Sequence, residues 1–360
     1  SKPEQFVPWL KISLEKFLWQ IKKERLKIIF QNLSRLAEPE IKKILAKDVS
    51  RETAKLLAYP ISTGGKRLRP GMAILSCLAM GGKLENVIQP ATGLEILHNY
   101  TLIVDDTIDH SLVRRGEPTS QKKYGHSISE CLAVDYATSI FQSIENHPQS
   151  KIISDILART LKIIFEGEIL DILFEQAGRE DEPYIKKNRY LNISRQKYLK
   201  MISQKTAILF QTAVEIGAIC ANAKSKQVEA LKNYGLNLGI AFQIRDDILD
   251  IFGNEKKFGK KIGKDIEERK GGNIVILLAN QELSKTKQKI LAGILKKKTT
   301  NRQDIKQAIQ MIKKTKAKGK AQNLGEEFIK KAKKCLEVLP QNKWTNLLKE
   351  IAEFVIEREY

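Results

Sequence analysis

Two apolar stretches of this chain, each with the spacing of an α-helix, end in the same acidic pattern. Residues 94–104 lead into DDTID at 105–109, and residues 238–244 lead into DDILD at 246–250. Positions four apart on a helix lie about 40° apart around its axis and one turn apart along it. The first and last aspartates of each pattern are therefore predicted to project from one face of a helix.

These outer aspartates are candidate metal ligands: Asp105, Asp109, Asp246 and Asp250. Like charges at this spacing destabilise an isolated helix by roughly 0.2–0.5 kcal/mol per pair, and a bound cation removes that cost. Oxygen ligands favour a hard ion such as Mg²⁺, which usually bridges one or two carboxylates to substrate phosphates. A solvated acidic face would explain one such pattern. Two copies in apolar sequence favour two magnesium-binding walls around a diphosphate.

The remaining pattern of the chain predicts an all-α protein. Long stretches show a period of 3.6 residues without strand-like alternation, and 42% of the residues are hydrophobic, which is enough for a large core. No linker marks a second domain, so we expect one domain over residues 1–360. Within it, residues 1–58 are predicted to form amphipathic helices that pack on the core or on a second subunit, and residues 59–360 the main bundle. A helix lying on a membrane is the alternative for the first segment, because its apolar stripe contains Phe and Trp.

The formal charge of +21 indicates anionic partners, such as phosphorylated substrates, a membrane surface or nucleic acid. No zinc-finger spacing or RNA-binding signature is found, so we expect no nucleic-acid partner and at most peripheral membrane contact. No apolar run reaches about 18–20 residues, and the four cysteines are isolated in apolar helical sequence. With no signal-peptide pattern either, these features predict a cytoplasmic protein with reduced thiols.

Two basic loops could hold the phosphates of a substrate. The first contains the sequence GGKRLRP at residues 64–70, where paired glycines let the backbone approach a ligand and three cations form a nest. The second contains Arg114 and Arg115 directly after the first acidic pattern, and arginine forks match phosphate oxygens. Solvated basic loops are the alternative interpretation of both segments.

Further polar residues lie in apolar helical sequence. Lys205 and Thr206 fall inside the helix predicted over residues 195–221, where a buried lysine is costly unless it meets an anion. Gln243 lies three residues before the second acidic pattern, on the same predicted face. Glu168 and Asp171 are predicted to line a polar cavity.

The order of these motifs resembles the trans-isoprenyl diphosphate synthases, a family also called the polyprenyl synthetases. The resemblance rests on GGKRxRP, then DDxxD with RRG, then KT, then QxxDDxxD, then GK, and it runs from about residue 60 to the C-terminal end. Within the family, the chain resembles the archaeal geranylgeranyl and farnesyl diphosphate synthases, and its first DDxxD lacks the two-residue insertion common in bacterial farnesyl synthases.

This resemblance implies an isoprenoid-synthase-type helical bundle around a deep central cavity, usually a homodimer. It implies two or three Mg²⁺ ions per site, held by the two aspartate walls. The substrates implied are isopentenyl diphosphate and an allylic diphosphate, with Thr206 and Gln243 beside the reacting allylic carbon. The residues implied for the allylic diphosphate are Arg114, Lys205, Lys260 and Lys270. Those implied for isopentenyl diphosphate are Lys66, Arg69, His98 and Arg115.

The resemblance also points to the residues that set product length. In this family the fifth residue before the first DDxxD forms the floor of the cavity, and here it is Tyr100, with Leu97 and Thr101 beside it. A bulky ring at this position favours C20 geranylgeranyl diphosphate, followed by C15 farnesyl diphosphate, over longer polyprenyl products. Ordinary helix packing is the alternative role for Tyr100.

Two other functions fit the same motifs less well. A non-catalytic prenyl synthase subunit usually lacks one acidic motif, and a terpene cyclase has a different second motif. Four departures from the family pattern predict altered substrate preference or loop closure. They are Glu168 in place of Gln, Val134-Asp135 in place of Gly-Asp, Arg269 in place of Gly, and a long segment at residues 178–195.

Overall fold

The computed structural model describes residues 24–26, 28–254 and 262–357. Lys260 and the first 23 residues of the predicted N-terminal amphipathic segment lie outside these residues. Residues 28–35 are helical and precede a series of helices. That series is α1 (Glu38–Leu45), α2 (Arg51–Ser62), α3 (Leu68–Ala79), α4 (Ile88–Ile108), α5 (Ser120–Tyr124), α6 (His126–Gln142), α7 (Ser150–Leu173), α8 (Pro183–Asn188), α9 (Arg195–Ile202), α10 (Ile208–Cys220), α11 (Ser225–Phe252), α12 (Lys264–Glu267), α13 (Ile274–Glu282), α14 (Lys285–Leu295), α15 (Arg302–Lys313), α16 (Ala317–Cys335) and α17 (Lys343–Glu357).

The predicted all-α class is confirmed. The helices begin where the sequence supplies side-chain caps. Ser50 accepts a hydrogen bond from the backbone N–H of Thr53 at the start of α2, and Ser194 does the same for α9. Asn301 and Asp304 form a reciprocal capping box at the start of α15. Each such cap satisfies backbone donors that have no partner inside the helix, and is typically worth about 1 kcal/mol.

Helix α10 lies between the helices that carry the two acidic patterns. It packs against α3 and α11 and also contacts α4. Gly235 of α11 permits this packing, because a Cβ atom there would lie 2.7 Å from the carbonyl oxygen of Phe210. A Cβ atom on Gly239, one turn further, would lie 2.5 Å from the Cα atom of Ala207. The helices that carry the two acidic patterns are therefore both held against α10.

Apolar side chains form two clusters. One lies around α3, α4, α10 and the first half of α11 and includes Leu94 and Ile216. The other lies under the second half of α11 and under α13–α16 and includes Ile244, Ile276 and Ile312. Full burial of each such side chain contributes roughly 1.5–3 kcal/mol to folding. No helix among the described residues combines the length and apolar character needed to cross a membrane.

A short antiparallel ribbon, which the sequence analysis missed, follows the first acidic pattern. Strand β1 (Val113–Arg114) pairs with β2 (Glu117–Pro118) around a two-residue turn. The turn residues Arg115 and Gly116 have φ values of 56° and 84°. Two positive φ values in succession are typical of the type I′ turn, which matches the twist of paired strands. The turn directs the side chains of Arg114 and Arg115 towards different partners.

Two other local features refine the predicted helices. The helix predicted over residues 195–221 is divided by a π-helical turn, Ser203–Ala207, which contains Lys205 and Thr206. The long polar segment predicted at residues 178–195 contains the short helix α8. Single π-helical turns often occur at functional sites.

Candidate active site

The first acidic pattern lies at the C-terminal end of α4, as predicted. Asp105 and Asp109 are partly exposed, and Asp109 is the C-cap residue of the helix. Asp106 between them is buried, and its Oδ2 accepts a hydrogen bond of 2.7 Å from Nε of Arg114. Its Oδ1 is buried without a hydrogen-bond partner among the described residues. Burial raises the pKa of Asp106, and Arg114 opposes that shift.

The second acidic pattern lies at the end of α11, and its three aspartates have different partners. Asp246 is partly exposed. Asp247 is buried and accepts hydrogen bonds from the Tyr198 hydroxyl at 2.8 Å, from Gln243 Nε2 at 2.9 Å and from the backbone N–H of Ile274 at 2.9 Å. The middle carboxylate therefore joins α9, α11 and α13.

Asp250, a predicted metal ligand, is 7% exposed and binds the start of α12. Its Oδ1 accepts from the backbone N–H of Lys264 at 2.9 Å, and its backbone carbonyl accepts from Gly263 at 2.7 Å. Burial and the neighbouring Asp265 raise the pKa of Asp250 to about 9. A carboxyl group with such a raised pKa is stabilised in its charged form by a nearby cation. Asp246 is thus the more exposed aspartate on this wall, and Asp250 anchors the adjoining segment.

Two largely buried lysines lie between the walls and share one carboxylate. Lys205 Nζ lies 2.7 Å from Oδ2 of Asp171, and Lys270 Nζ lies 3.2 Å from the same oxygen. Lys270 Nζ also lies 3.7 Å from Oδ2 of Asp109 on the first wall. Burial would lower the pKa of both lysines, but Asp171 and the surrounding carboxylates raise it, so both carry a positive charge. The structure therefore brings together two predicted phosphate-binding cations and the first acidic wall.

Glu168 completes this cluster. Its Oε2 lies 2.5 Å from Lys205 Nζ, and its side chain is 4% exposed. Burial raises the pKa of Glu168 to about 7, and Lys205 opposes the shift while Asp105 and Asp171 reinforce it. A titratable carboxyl group thus lies beside the lysine at neutral pH, where the family pattern has an uncharged glutamine.

The predicted pair of Thr206 and Gln243 is in direct contact. The Thr206 hydroxyl donates to Gln243 Oε1 at 2.9 Å, and Gln243 Nε2 donates in turn to Asp247. This chain of hydrogen bonds joins the π-helical turn to α11. It fixes the orientation of the Gln243 amide, since both the amide oxygen and the amide nitrogen have a defined partner.

A second group of cations lies at the start of α3 and beside α4. Arg69 Nη1 lies 3.3 Å from His98 Nε2, and the Arg69 guanidinium lies over the ring of Phe210 at 4.9 Å. Burial and the nearby Arg69 and Arg115 lower the pKa of His98 well below its usual value, so the imidazole is neutral. His98 Nδ1 is buried without a hydrogen-bond partner among the described residues, which suits a site that binds a polar ligand.

The basic loop before α3 divides into two roles that the sequence did not distinguish. Arg67 is buried and donates to Glu95 Oε1 at 2.9 Å and to the Ile61 carbonyl at 2.7 Å, so it holds the loop to α2 and α4. Lys66 is exposed. Arg115, from the ribbon turn, donates to the Gly64 carbonyl and so closes over the same loop.

Arg179 is a site residue that the sequence analysis missed. It extends from the polar segment after α7, and its Nη2 lies 3.6 Å from Oδ1 of Asp109. Glu175 and Glu182 bind the same guanidinium at 2.9 Å and 3.1 Å. No periodicity marks this residue, because it lies outside regular helix and reaches the site by a left-handed backbone conformation with φ of 56°.

Tyr100 lies five residues before Asp105, which places it about 7.5 Å below Asp105 along the helix axis. The Tyr100 ring packs edge-to-face on Phe165 of α7, with the ring centroids 5.8 Å apart. Leu97 is fully buried, and the Thr101 hydroxyl donates to the His98 carbonyl at 2.8 Å. Tyr100 and Phe165 together form a bulky aromatic pair beneath the first acidic wall.

The donor set fits a magnesium ion that is shared with a substrate. Among the described residues, no group of three or more His, Cys, Asp or Glu side chains is arranged to enclose a metal ion on its own. Magnesium is usually held by one or two carboxylates together with waters and substrate phosphates. The partly exposed aspartates Asp105 and Asp109 on α4 and Asp246 on α11 supply oxygen ligands of that number and type.

Comparison with known proteins identifies the family of this chain. The family model for polyprenyl synthetase matches residues 50–312. Geranylgeranyl diphosphate synthase of Methanosarcina mazei is 32% identical over 335 residues, covering 92% of this chain and 97% of that protein. Geranylgeranyl diphosphate synthase of Saccharolobus solfataricus is 35% identical over 307 residues, covering 82% of this chain and 87% of that protein.

A solved structure is similar over nearly the whole length. The polyprenyl synthase of Caulobacter crescentus, complexed with calcium and isoprenyl diphosphate, superimposes with a TM-score of 0.83 at 30% identity. The match covers 94% of this chain and 98% of that chain. This chain therefore belongs to the polyprenyl synthetase family, and its activity is that of a prenyltransferase.

Proposed function

We propose that this chain is a magnesium-dependent geranylgeranyl diphosphate synthase that condenses isopentenyl diphosphate with allylic diphosphates. The observation that carries the proposal is the cluster of Lys205, Lys270 and Asp171 beside Asp109, because it gathers phosphate-binding cations next to metal-binding oxygens. The two archaeal relatives that are named geranylgeranyl diphosphate synthases support the choice of product.

In this proposal Asp105 and Asp109 hold Mg²⁺ from the first wall and Asp246 holds it from the second, with two or three ions per site. Asp250 has an indirect role, since its carboxylate already binds the start of α12. Mg²⁺, when bound, supplies positive charge that neutralises the diphosphate leaving group.

The residues of the chain then act on the allylic diphosphate. Lys205, Lys270 and Arg114 hold its phosphate oxygens, and Lys260 belongs to the same set. The carbon–oxygen bond breaks, its electron pair leaves with the diphosphate, and an allylic cation remains. Fixed cations around a leaving group lower this barrier because they need no reorganisation during the reaction. Thr206 and Gln243 lie beside the cationic carbon, where the hydroxyl oxygen faces positive charge.

The second substrate binds at the other group of cations. Arg69, His98, Arg115 and Lys66 hold the diphosphate of isopentenyl diphosphate, and the neutral imidazole of His98 can donate a hydrogen bond to it. The double bond of isopentenyl diphosphate attacks the allylic cation, and a proton is lost to the departed diphosphate. Water must be excluded during this step, because it would convert the cation to an alcohol.

The length of the product depends on the space beneath the first wall. Tyr100, packed on Phe165, limits a growing chain to C20, and Leu97 and Thr101 complete the floor.

We further propose that the whole chain forms one domain, that it acts in the cytoplasm, and that it assembles as a homodimer. The two archaeal relatives are matched over most of their length, which supports one domain with the complete activity.

One assay tests the proposed function. The purified protein is incubated with Mg²⁺, labelled isopentenyl diphosphate and each of the C5, C10 and C15 allylic primers, and the products are sized. We expect C20 products, and Asp105→Asn should reduce turnover by at least about a thousandfold because it removes an oxygen charge from the metal site. Asp155→Asn, an exposed aspartate on α7, is the matched control and should retain activity. Products longer or shorter than C20 would refute the product assignment, and near-normal activity of Asp105→Asn would refute the metal site.

A further inference from the structure

The positive charge of this chain is concentrated in one segment. Residues 283–320 contain twelve lysines and one arginine against a single acidic residue, Asp304, which gives a formal charge of +12 out of +21 for the whole chain. The following residues, 321–357, carry six lysines and six glutamates. More than half of the net positive charge therefore lies in this one short segment.

The structure places all of these cations at the surface. The segment forms α14, α15 and the first turn of α16, and each of its thirteen basic side chains is exposed. The inner faces are buried through residues such as Leu291, Ile305 and Ile312. Asp304 is buried, and its Oδ1 lies 2.5 Å from Nζ of Lys297, so the one acidic group is already paired. We call these exposed basic side chains of residues 285–320 the basic face.

The basic face adjoins the diphosphate-binding end of the active site. Arg269 Nη1 donates to the backbone carbonyl of Lys298 at 2.8 Å, and Thr300 donates to the Glu267 carbonyl at 3.2 Å. The same short segment continues to Lys270, which lies against Asp171 and Asp109. The loop between α14 and α15 is thus in contact with the segment that delivers a lysine to the site.

Its size and composition distinguish between possible anionic partners. Helix α15 alone has 12 residues, a length of about 18 Å, so the basic face is much broader than one small diphosphate. It contains no Phe, Tyr or Trp, which single-stranded nucleic acid uses for base stacking, and only one arginine, the residue best suited to read phosphates and bases. Lysine-rich, non-aromatic surfaces suit a diffuse anionic plane such as a bilayer of acidic lipids.

We propose that the basic face docks the enzyme reversibly on an anionic lipid membrane with the diphosphate end of its active site at the membrane surface. Prenyl diphosphates carry a hydrocarbon chain and a charged head, so they reside at such a surface. Docking in this orientation lets a product leave the site into the bilayer without crossing bulk water. The attraction is electrostatic and decays over a Debye length of about 8 Å at physiological ionic strength.

A vesicle co-sedimentation experiment with the full chain tests this proposal. Vesicles of phosphatidylcholine alone are compared with vesicles that also contain phosphatidylglycerol, at about 0.1 M and about 1 M salt. A basic-face variant and a matched control variant remove the same number of charges by Lys→Gln changes at exposed helical positions. The basic-face variant is K287Q/K289Q/K306Q/K313Q, and the control is K55Q/K151Q/K226Q/K330Q.

We expect binding to the anionic vesicles only, loss of binding in high salt, and an affinity of the basic-face variant at least about tenfold below that of the control. Turnover of a short, water-soluble allylic primer should be the same in both variants. Equal vesicle binding by the two variants, or failure of the unaltered chain to bind anionic vesicles, would overturn the proposal. If the basic-face variant showed a reduced kcat/KM for the soluble primer but unchanged vesicle binding, the proposal would be overturned, and the basic face would instead attract the anionic substrate towards the active site. Tighter binding to duplex or single-stranded nucleic acid than to the vesicles would overturn it in favour of a nucleic-acid partner.

Discussion

Lys205 Nζ lies 2.7 Å from Oδ2 of Asp171, and both side chains are largely buried between the two acidic walls. Burial alone would raise the pKa of Asp171, but Lys205 and Lys270 hold it well below its usual range. Asp171 is therefore charged at every working pH and fixes the positions of both lysines. A substrate diphosphate meets cations that are already ordered, which reduces the entropy lost on binding.

Glu168→Gln should remove the dependence of allylic substrate binding on pH near neutrality. The pKa of Glu168 is raised to about 7, so its carboxyl group becomes charged as the pH rises through that value. The charged form competes with the diphosphate for Lys205. In the unaltered chain the KM for the allylic substrate should rise roughly threefold to tenfold between pH 7 and pH 8, and in the variant it should stay constant.

Steady-state kinetics across this pH range provide the measurement. Glu166→Gln is the matched control, because Glu166 lies on the same helix, pairs with Lys200 at 3.4 Å and is 57% exposed. It should keep the pH dependence of the unaltered chain. If Glu168→Gln keeps that dependence as well, another group near the site controls it.

Tyr100→Ala should lengthen the product. The change removes a ring that packs on Phe165 beneath the first acidic wall, and the space it leaves admits one or more additional C5 units. Phe165→Ala should act in the same direction, since it removes the support of that ring. Product sizing by chromatography checks both variants. Tyr100→Phe keeps the ring and should leave the C20 product unchanged; an unchanged product from both alanine variants would assign the floor to other residues.

Arg67→Met should destabilise the fold by about 3 kcal/mol or more, because it leaves the buried carboxyl of Glu95 without its cation. The Arg67 side chain is 5% exposed and that of Glu95 is 1% exposed. Equilibrium unfolding in urea gives the free energy. Lys66→Met, at the exposed neighbouring position, should change it by no more than about 0.5 kcal/mol.

A double variant separates charge from packing at this position. Arg67→Met combined with Glu95→Gln removes the unpaired charge and should recover part of the lost stability. Equal stability of the single and double variants would mean that the Arg67 side chain acts through its contacts with the Gly64 and Ile61 carbonyls.

Tyr198→Phe should lower the free energy of unfolding by about 1 kcal/mol, because Asp247 loses one of its three hydrogen-bond donors. The backbone N–H of Ile274 still binds the same carboxylate oxygen, which limits the loss. Urea unfolding measures the effect. Tyr184→Phe is the matched control, because Tyr184 is 70% exposed and its substitution should leave the free energy of unfolding almost unchanged. A loss equal to that of the exposed control would contradict the role of Tyr198 as a tie to α11.

The positions of the outer aspartates were predictable, because helical spacing alone places Asp105 and Asp109 on one face. The different environments of Asp246 and Asp247 were not. They depend on Tyr198 and on the start of α13, which lie far away in sequence and approach only when the helices pack. Helix packing also explains why the sequence predicted Asp250 as a metal ligand but did not reveal that its carboxylate accepts a hydrogen bond from the Lys264 backbone.

The short ribbon and Arg179 were missed for a different reason. Strands of two residues are too short to show an alternating pattern, and the paired positive φ values at Arg115 and Gly116 leave only a weak signal in the sequence. Arg179 reaches Asp109 from irregular backbone, where no periodicity reports which way a side chain points. In both cases the missing information was the path of a loop.

The segment from Gly263 to Lys270 is fixed at its two ends to opposite walls. At one end Asp250 binds it through two hydrogen bonds of its backbone and side chain, and at the other Lys270 reaches Asp109 over a longer gap of 3.7 Å. Close to Lys270, the backbone N–H of Gln176 donates to the Arg269 carbonyl at 2.9 Å, and that of Gly271 donates to the Phe174 carbonyl at 3.1 Å. The segment is therefore a strap, bound to the end of α11 on one side and to the residues after α7 on the other, and any movement that separates these two helix ends must break one of the two sets of hydrogen bonds.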